Sequence, residues 1–158
     1  MLPLIKFEDL GVKDYLETWN YQESLLRELV DQKKDKAILD ASGQNGKIIH
    51  LLFVEHPHVY TLGKSGAKDN LLLDQIQLSA KEASFYRTNR GGDITYHGPG
   101  QIVGYPIIDL EEFKLSMREY IFKLEESIIL TLNHYGVKGE RLDGATGVWL
   151  EPGVKGKV

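Results

Sequence analysis

No cysteine occurs anywhere in this chain of 158 residues. Disulfides, thiolate metal sites and a cysteine nucleophile within the chain are therefore excluded. Basic residues are in short supply as well. Nineteen Lys and Arg stand against 23 Asp and Glu, a net charge of −4, without the basic excess that nucleic-acid binding usually needs. Long apolar runs are missing too: the greasiest stretch, Ile48–Val54, is broken by His50 and is far shorter than a membrane span. The start, Met1 to Glu8, has no basic segment followed by an apolar one, so no secretion signal is expected. What is present is ordinary for a folded chain, with 42% hydrophobic and 27% charged residues. The length suits a single domain, residues 1–158, with a real core.

Hydrophobic spacing predicts the elements. Leu4–Leu10 reads as a short strand ending at Gly11. Val12, Tyr15, Leu16, Trp19, Leu26, Leu29 and Val30 then follow the three-and-four spacing of an amphipathic helix. Gln32–Lys36 reads as its charged, solvated exit, and Ser42–Lys47 as a loop. Ile48–Glu55 is apolar almost throughout, a buried strand, and Val59–Leu62 is a second. Asn70–Gln77 and Ala80–Asn89 are irregular or weakly β, with Ser84–Thr88 a strand leading onward. Ile102–Leu110 is again β-rich, and Pro106 places it near a sheet edge or at a bulge. Ser116 with Glu119 three residues on forms a capping box. The helix it opens carries Met117, Tyr120, Ile121, Leu124, Ile128, Leu132 and Tyr135 on one face, and Gly136 ends it. Val137–Leu142 and Ala145–Leu150 are short strands about Asp143-Gly144, and Glu151–Val158 is a polar, glycine-rich finish. There is no repeat and no linker. Strands grouped around two long helices predict an α+β domain with a mixed sheet.

The chemistry-bearing stretch is Arg90–Gln101, which holds four of the sixteen glycines. A glycine pair allows positive φ and close approach of a ligand to the main chain, and Gly98-Pro99-Gly100 fixes a turn. Between these pivots stand Arg90, Asp93, Thr95, Tyr96 and His97, and the stretch is expected to be a ligand-binding loop. A guanidinium, backbone N–H groups opened by glycine and an imidazole suit a substrate with a carbonyl and an apolar tail. Such donors can support the negative charge that develops on a thioester or amide oxygen in acyl transfer.

Other motifs fail on spacing. Gly104 lies one residue too far from Gly98 and Gly100 for a dinucleotide fingerprint, and a strand follows where a helix is needed. Gly63-Lys64-Ser65 lacks the earlier glycine of a phosphate loop, since His58 stands there. No Gly-x-Ser-x-Gly elbow is present. His56 and His58, two apart, would face one side of a strand and could share a metal. No third ligand lies at a telling spacing and Pro57 breaks the strand, so a turn that orients a surface loop is expected instead. The adjacent pairs Glu111-Glu112 and Glu125-Glu126 are expected to be solvated, not an acid/base pair.

The run from Arg90 through Gly91, Gly92, Asp93, Ile94, Thr95, Tyr96 and His97 to Leu110 closely resembles the signature of the lipoyl(octanoyl) transferases. Glu55–Gly63, the Leu124-Glu125 helix and Thr146-Gly147-Val148-Trp149 resemble that family in the same order. The resemblance implies an α+β fold with a curved mixed sheet, shared with lipoate- and biotin-protein ligases. It implies an acyltransferase of lipoate biosynthesis that moves an octanoyl group from acyl carrier protein to a lysine of a lipoyl domain. Octanoyl-acyl carrier protein, the lipoyl domains of 2-oxoacid dehydrogenases and the glycine cleavage H protein are the partners it implies, in the cytoplasm. No cofactor, ATP or metal is implied, because the thioester donor is already activated. Residues 90–97 would be the substrate-binding segment, with Tyr96 and His97 bordering the reacting carbonyl.

The family's cysteine nucleophile and the lysine that lowers its pKa have no counterpart here. Lys155 and Lys157 lie close to where the lysine motif would begin, but Gly156 and Val158 after them depart from it. The expectation is an N-terminal part of a longer protein, with no catalytic residue in this chain and no transfer activity of its own. Two other readings stay open: an ATP-dependent lipoate or biotin protein ligase, and a non-catalytic module that binds acyl groups or lipoyl domains.

Overall fold

The computed structural model describes residues 4–39 and 48–151. The expected Ser42–Lys47 loop and nearly all of the glycine-rich finish lie outside them. Contacts divide the chain into two compact units, residues 1–108 and 109–158.

In the first unit, β1 (Leu4–Val12) leads into α1 (Tyr15–Leu39), which returns to β2 (Ile48–Glu55). β1 runs parallel to β2, and β6 (Ile102–Ile107) closes the other side antiparallel. The order is β1-β2-β6, so among the described residues Pro106 sits on an edge strand, where proline is tolerated. β1 extends two residues past the expected end. Gly11, at φ +60, lies in a register shift between Asp9 and Val12, and its amide donates to Asp9 Oδ1 at 2.9 Å. The helix accordingly starts later than its apolar spacing predicts. Asp14 decides the point, accepting from the amides of Leu16 (2.8 Å) and Glu17 (3.1 Å) as a cap. The helix also runs on through the expected charged exit.

The core of this unit is the seam between α1 and the sheet. Leu25 and Leu29, one turn apart, pack with Leu52 and Ile107, and Leu10, Tyr21 and Tyr105 close round them. Leu52 is wholly buried, and burying a side chain of that size contributes about 1.5–3 kcal/mol.

β3 (Val59–Leu62), β4 (Ser84–Arg87) and β5 (Ile94–His97) form a second mixed sheet in the order β4-β3-β5. β4 is parallel and β5 antiparallel to the central strand. Two elements here run against expectation. Gln75–Ala80 is a short helix, α2, where an irregular or weakly β segment was predicted. It is opened by a complete capping box of Asp74 and Gln77. Residues 94–97, expected to be loop, are the strand β5.

In the second unit, α3 (Met117–His134) starts at the predicted Ser116–Glu119 capping box. It ends in a Schellman motif, with the amides of Gly136 and Val137 donating to the carbonyls of Asn133 (3.0 Å) and Leu132 (2.9 Å) and Gly136 at φ +73. The hairpin β7 (Glu140–Leu142) and β8 (Ala145–Trp149) packs against α3 through β8. The architecture is α+β with mixed sheets and flanking helices, as the sequence predicts.

Candidate functional site

Period two along a strand governs this region. β5 pairs Thr95 with Thr61 and His97 with Val59, and also Ile94 with Leu62 and Tyr96 with Tyr60. Residues directly opposite share a face, so His97 lies with Thr61, and Tyr96 lies on the other side with Tyr60.

The His97 face is an aromatic wall. Tyr15, at the start of α1, stacks on His97 (6.3 Å between centroids, 13° between planes) and on Tyr86 of β4 (5.6 Å, 22°). His56 meets Tyr15 edge-on at 5.3 Å and lies 6.0 Å from both His97 and Tyr105. His56 is wholly buried. Its Nδ1 lies 2.8 Å from the Lys13 carbonyl, which only accepts, so Nδ1 carries the proton. Nε2 is then the acceptor for the Tyr105 hydroxyl at 3.0 Å. Burial holds the His56 pKa below the usual imidazole range, the Lys13 carbonyl opposes this, and the nearby His97 adds to the lowering. Burial likewise raises the hydroxyls of Tyr15 and Tyr105. The wall is therefore neutral where it is deepest, with the His97 ring bonded to Gln101 Oε1 through Nδ1 at 2.6 Å.

On the opposite face, Tyr96 is 43% exposed and its hydroxyl lies 2.6 Å from His58 Nδ1. Tyr60 is tilted against it at 5.1 Å. Tyr96 and His97 thus lie on opposite faces of β5. His56 and His58 do not converge either: one is buried on Lys13 and Tyr105, and the other is exposed on Tyr96. Among the described residues no group of three His, Cys, Asp or Glu is arranged to hold a metal.

The Arg90–Asp93 turn is stitched to β3. Arg90 donates from Nε to Thr61 Oγ1 (3.2 Å), from Nη1 to the Gly91 carbonyl (2.9 Å), and from Nη2 to the carbonyls of Thr61 and Asp93 (both 2.7 Å). The amides of Lys64 and Gly63 donate to the carbonyls of Arg90 (3.0 Å) and Asp93 (3.2 Å). Asn70 donates to the Asp93 carboxylate. The carbonyls of Arg90, Gly91 and Asp93 are thus occupied, while the amides of Gly91, Gly92 and Asp93 have no partner among the described residues. Gly92 sits at φ +80, which an L side chain resists. Gly63 is needed for another reason. A Cβ there would run into the carbonyl oxygens of Gly92 and Gly91.

Thr61 is wholly buried and shares the His97 face, so Arg90 reaches the aromatic wall from its loop side. Its charge is felt at Tyr15. The arrangement offers three N–H donors, unpartnered among the described residues, beside an aromatic surface, which suits a carbonyl or oxyanion on an apolar chain. Thr61, Asn70, Tyr15 and Tyr105 belong to this site and the sequence reading did not single them out. Nothing local marks Thr61 or Asn70, since both act through tertiary contacts.

In the second unit, the Glu125-Glu126 pair is not simply solvated. Arg141 donates to Glu125 Oε2 (3.1 Å), Glu126 Oε2 (2.9 Å) and the Phe122 carbonyl (2.9 Å), and its guanidinium lies 3.8 Å over the Phe122 ring. The Gly147 amide donates to Glu125 Oε1 at 2.7 Å.

Residues 14–158 match the lipoyl protein ligase A/B catalytic domain. An octanoyltransferase of Christiangramia forsetii is 54% identical over 94% of this chain, and one of Flavobacterium johnsoniae is 58% identical over the same share. The chain spans 63% of the length of each of these two relatives. Among solved structures, a putative lipoate protein ligase from T. acidophilum with bound lipoic acid is similar with a TM-score of 0.54 at 17% identity, over 99% of this chain and 56% of that one. A bipartite lipoate protein ligase of T. acidophilum, solved in a study that includes its E2 lipoyl domain, has a TM-score of 0.56 at 18% identity, over 97% of this chain and 52% of that one. At these identities the likeness is one of fold.

Proposed function

The chain belongs to the lipoyl protein ligase A/B catalytic-domain family, and on that premise we propose that it is the acyl-binding part of an octanoyltransferase of lipoate biosynthesis. The reaction moves an octanoyl group from the thioester of a carrier protein to a lysine of a lipoyl domain. A C–N bond forms and a C–S bond breaks, and the proton lost by the lysine leaves with the carrier's thiol. The acceptors are the lipoyl domains of 2-oxoacid dehydrogenases and the glycine cleavage H protein, in the cytoplasm. No helix among the described residues is long and apolar enough to cross a membrane.

One observation carries the reading. The Arg90–Asp93 turn has the carbonyls of Arg90, Gly91 and Asp93 occupied and the amides of Gly91, Gly92 and Asp93 unpartnered among the described residues, next to the face formed by Tyr15, Tyr86, His56 and His97. As the thioester carbon becomes tetrahedral its oxygen gains charge, and preorganised N–H donors stabilise that state more than the ground state. Residues 90–97 contribute unequally. Gly91, Gly92 and Asp93 supply donors, His97 and Thr95 lie on the acyl side, and Ile94 and Tyr96 form the reverse face of the strand. The chain has no cysteine, so it contributes the cradle and not the nucleophile.

The test uses the natural full-length protein with octanoyl-acyl carrier protein and an unmodified lipoyl domain, read by intact mass. Octanoylation without ATP is the expected result. Modification only with free octanoate and ATP would instead make the protein a ligase.

A further inference from the structure

A single arginine among free amides invites the view that its guanidinium grips the substrate. The geometry points elsewhere. We infer that Arg90 is a positioning residue: with the buried Thr61 it takes up the carbonyls of Gly91 and Asp93, and so fixes the Gly92 amide and brackets those of Gly91 and Asp93 as the donor set for an acyl carbonyl oxygen. The inference rests on the acyl-binding reading above and deepens it.

Each nitrogen of the guanidinium is committed inside the protein. Nε and Nη2 hold Thr61, Nη1 holds the Gly91 carbonyl, and Nη2 also holds the Asp93 carbonyl. The planar fork suits this task, since it can bind two elements at once in fixed geometry, which a lysine cannot do. A peptide plane whose carbonyl is fixed has its N–H direction fixed as well. Tying the carbonyls of Gly91 and Asp93 therefore sets the amides of Gly92 and of the residue after Asp93, and the Lys64 bond to the Arg90 carbonyl sets the amide of Gly91. Gly92, the one plane without a carbonyl anchor, is bracketed on both sides and carries the positive φ. Asn70 secures the remaining corner through the Asp93 side chain.

Thr61 makes the idea testable, because a wholly buried residue cannot touch substrate. Thr61→Val keeps the shape and the β preference of the site but removes the hydroxyl that Arg90 binds. The experiment is a double-mutant cycle in the natural full-length protein. N-acetyl-S-octanoylcysteamine is the probe, and affinity is read from the amide shifts of Gly91 and Gly92 by NMR. Arg90→Gln and Thr61→Val are each expected to weaken binding about tenfold, and the double variant to be within about twofold of the worse single, the signature of two groups acting as one. Arg90→Lys, which keeps the charge and loses the fork, should resemble Arg90→Gln. Asn70→Ala, at an exposed position, carries the same test through Asp93 should Thr61→Val fail to fold, with a smaller loss expected.

Wild-type affinity in Thr61→Val and Asn70→Ala, or recovery of binding in Arg90→Lys, would overturn the inference and make Arg90 a substrate ligand. Failure of the acyl-binding reading looks different. In that case the probe leaves the Gly91 and Gly92 amides of the unsubstituted protein unmoved, before any substitution is made.

Discussion

Tyr96 and His97 are adjacent in sequence and lie on opposite faces of one strand. The Tyr96 hydroxyl is 2.6 Å from His58 on the exposed side, while His97 stacks on Tyr15 at 6.3 Å on the other. On the proposed acyl-binding reading, only His97 meets the acyl group. His97→Ala is expected to weaken binding of an octanoyl thioester about tenfold, a loss of about 1.4 kcal/mol. Tyr96→Phe removes an exposed hydroxyl and should leave affinity within a factor of about two, as surface changes usually do. Titration of both variants with the same thioester checks this. Equal losses would mean that the alternation of β5 does not govern the site.

His56 links three elements, taking the Lys13 carbonyl on one nitrogen and the Tyr105 hydroxyl on the other at complete burial. His56→Ala leaves both partners unsatisfied around a cavity, and should cost about 2–4 kcal/mol of stability. Denaturant unfolding at neutral pH measures it.

The same residue gives a pH dependence whose sign is fixed. Burial lowers the folded-state pKa of His56, so between that value and the unfolded value of about 6.5 the unfolded chain binds more protons. Stability contributed by neutral His56 is therefore complete above the unfolded pKa and is lost as pH falls below it, until the folded form protonates too. Glu8, lowered by bonds from Tyr21, Lys6 and His50 that outweigh its partial burial, acts in a separate window below the ordinary carboxylate pKa. Unfolding midpoints taken from pH 7.5 to 5 should fall for the wild type, and fall less for His56→Gln, which stays uncharged throughout.

How much of this was legible depends on the range of the forces involved. The capping box at Ser116–Glu119 and the Gly136 stop are local, and the helix they bound appears as its spacing predicts. The Asp74–Gln77 box carries the same local signal before α2. The six residues it opens, Gln75–Ala80, are too few to show a period. Apolar spacing alone carries α1 back to Val12. A side-chain cap at Asp14 and the bulge at Gly11 override that spacing. The turn at residues 90–93 is legible from its glycines, but the bonds that tie Arg90 to β3 are not, since Thr61 lies 29 positions away. β5 was hidden for a related reason: four residues make a strand here only because β3 is there to pair with.

The carboxylates at Glu125 and Glu126 are neighbours of unequal weight. The Glu125 side chain is 14% exposed and holds both Arg141 and the Gly147 amide, whereas Glu126 is 44% exposed and meets Arg141 alone. Glu125→Ala strips a partly buried guanidinium of one partner and orphans a backbone N–H, and should destabilise the second unit by about 2 kcal/mol. Glu126→Ala breaks a largely solvated ion pair worth well under about 1 kcal/mol. Hydrogen exchange along α3 and β8 would report the difference, and comparable effects would refute the ranking.

Gly63 and Gly92 are both required, for different physical reasons, and the difference can be measured. Gly92 holds φ at +80, and a Cβ there would meet nothing closer than Arg90 Nη1 at 3.4 Å. Gly92→Ala therefore suffers chiefly backbone strain, about 1–2 kcal/mol. At Gly63 the obstacle is steric. A Cβ would strike the carbonyl oxygens of Gly92 and Gly91, the second at 2.8 Å, and backbone atoms cannot rotate aside as a flexible side chain can. Gly63→Ala must push the turn off β3, weakening the Gly63–Asp93 and Lys64–Arg90 bonds that fix its carbonyls. Gly92→Ala is thus expected to lose stability by that strain with a smaller loss of acyl affinity, while Gly63→Ala loses affinity by about tenfold or more, roughly 1.4 kcal/mol. Unfolding midpoints and thioester titrations on the two variants separate strain from displacement. Gly63→Ala binding as well as the wild type would show that the turn does not need its seat on β3.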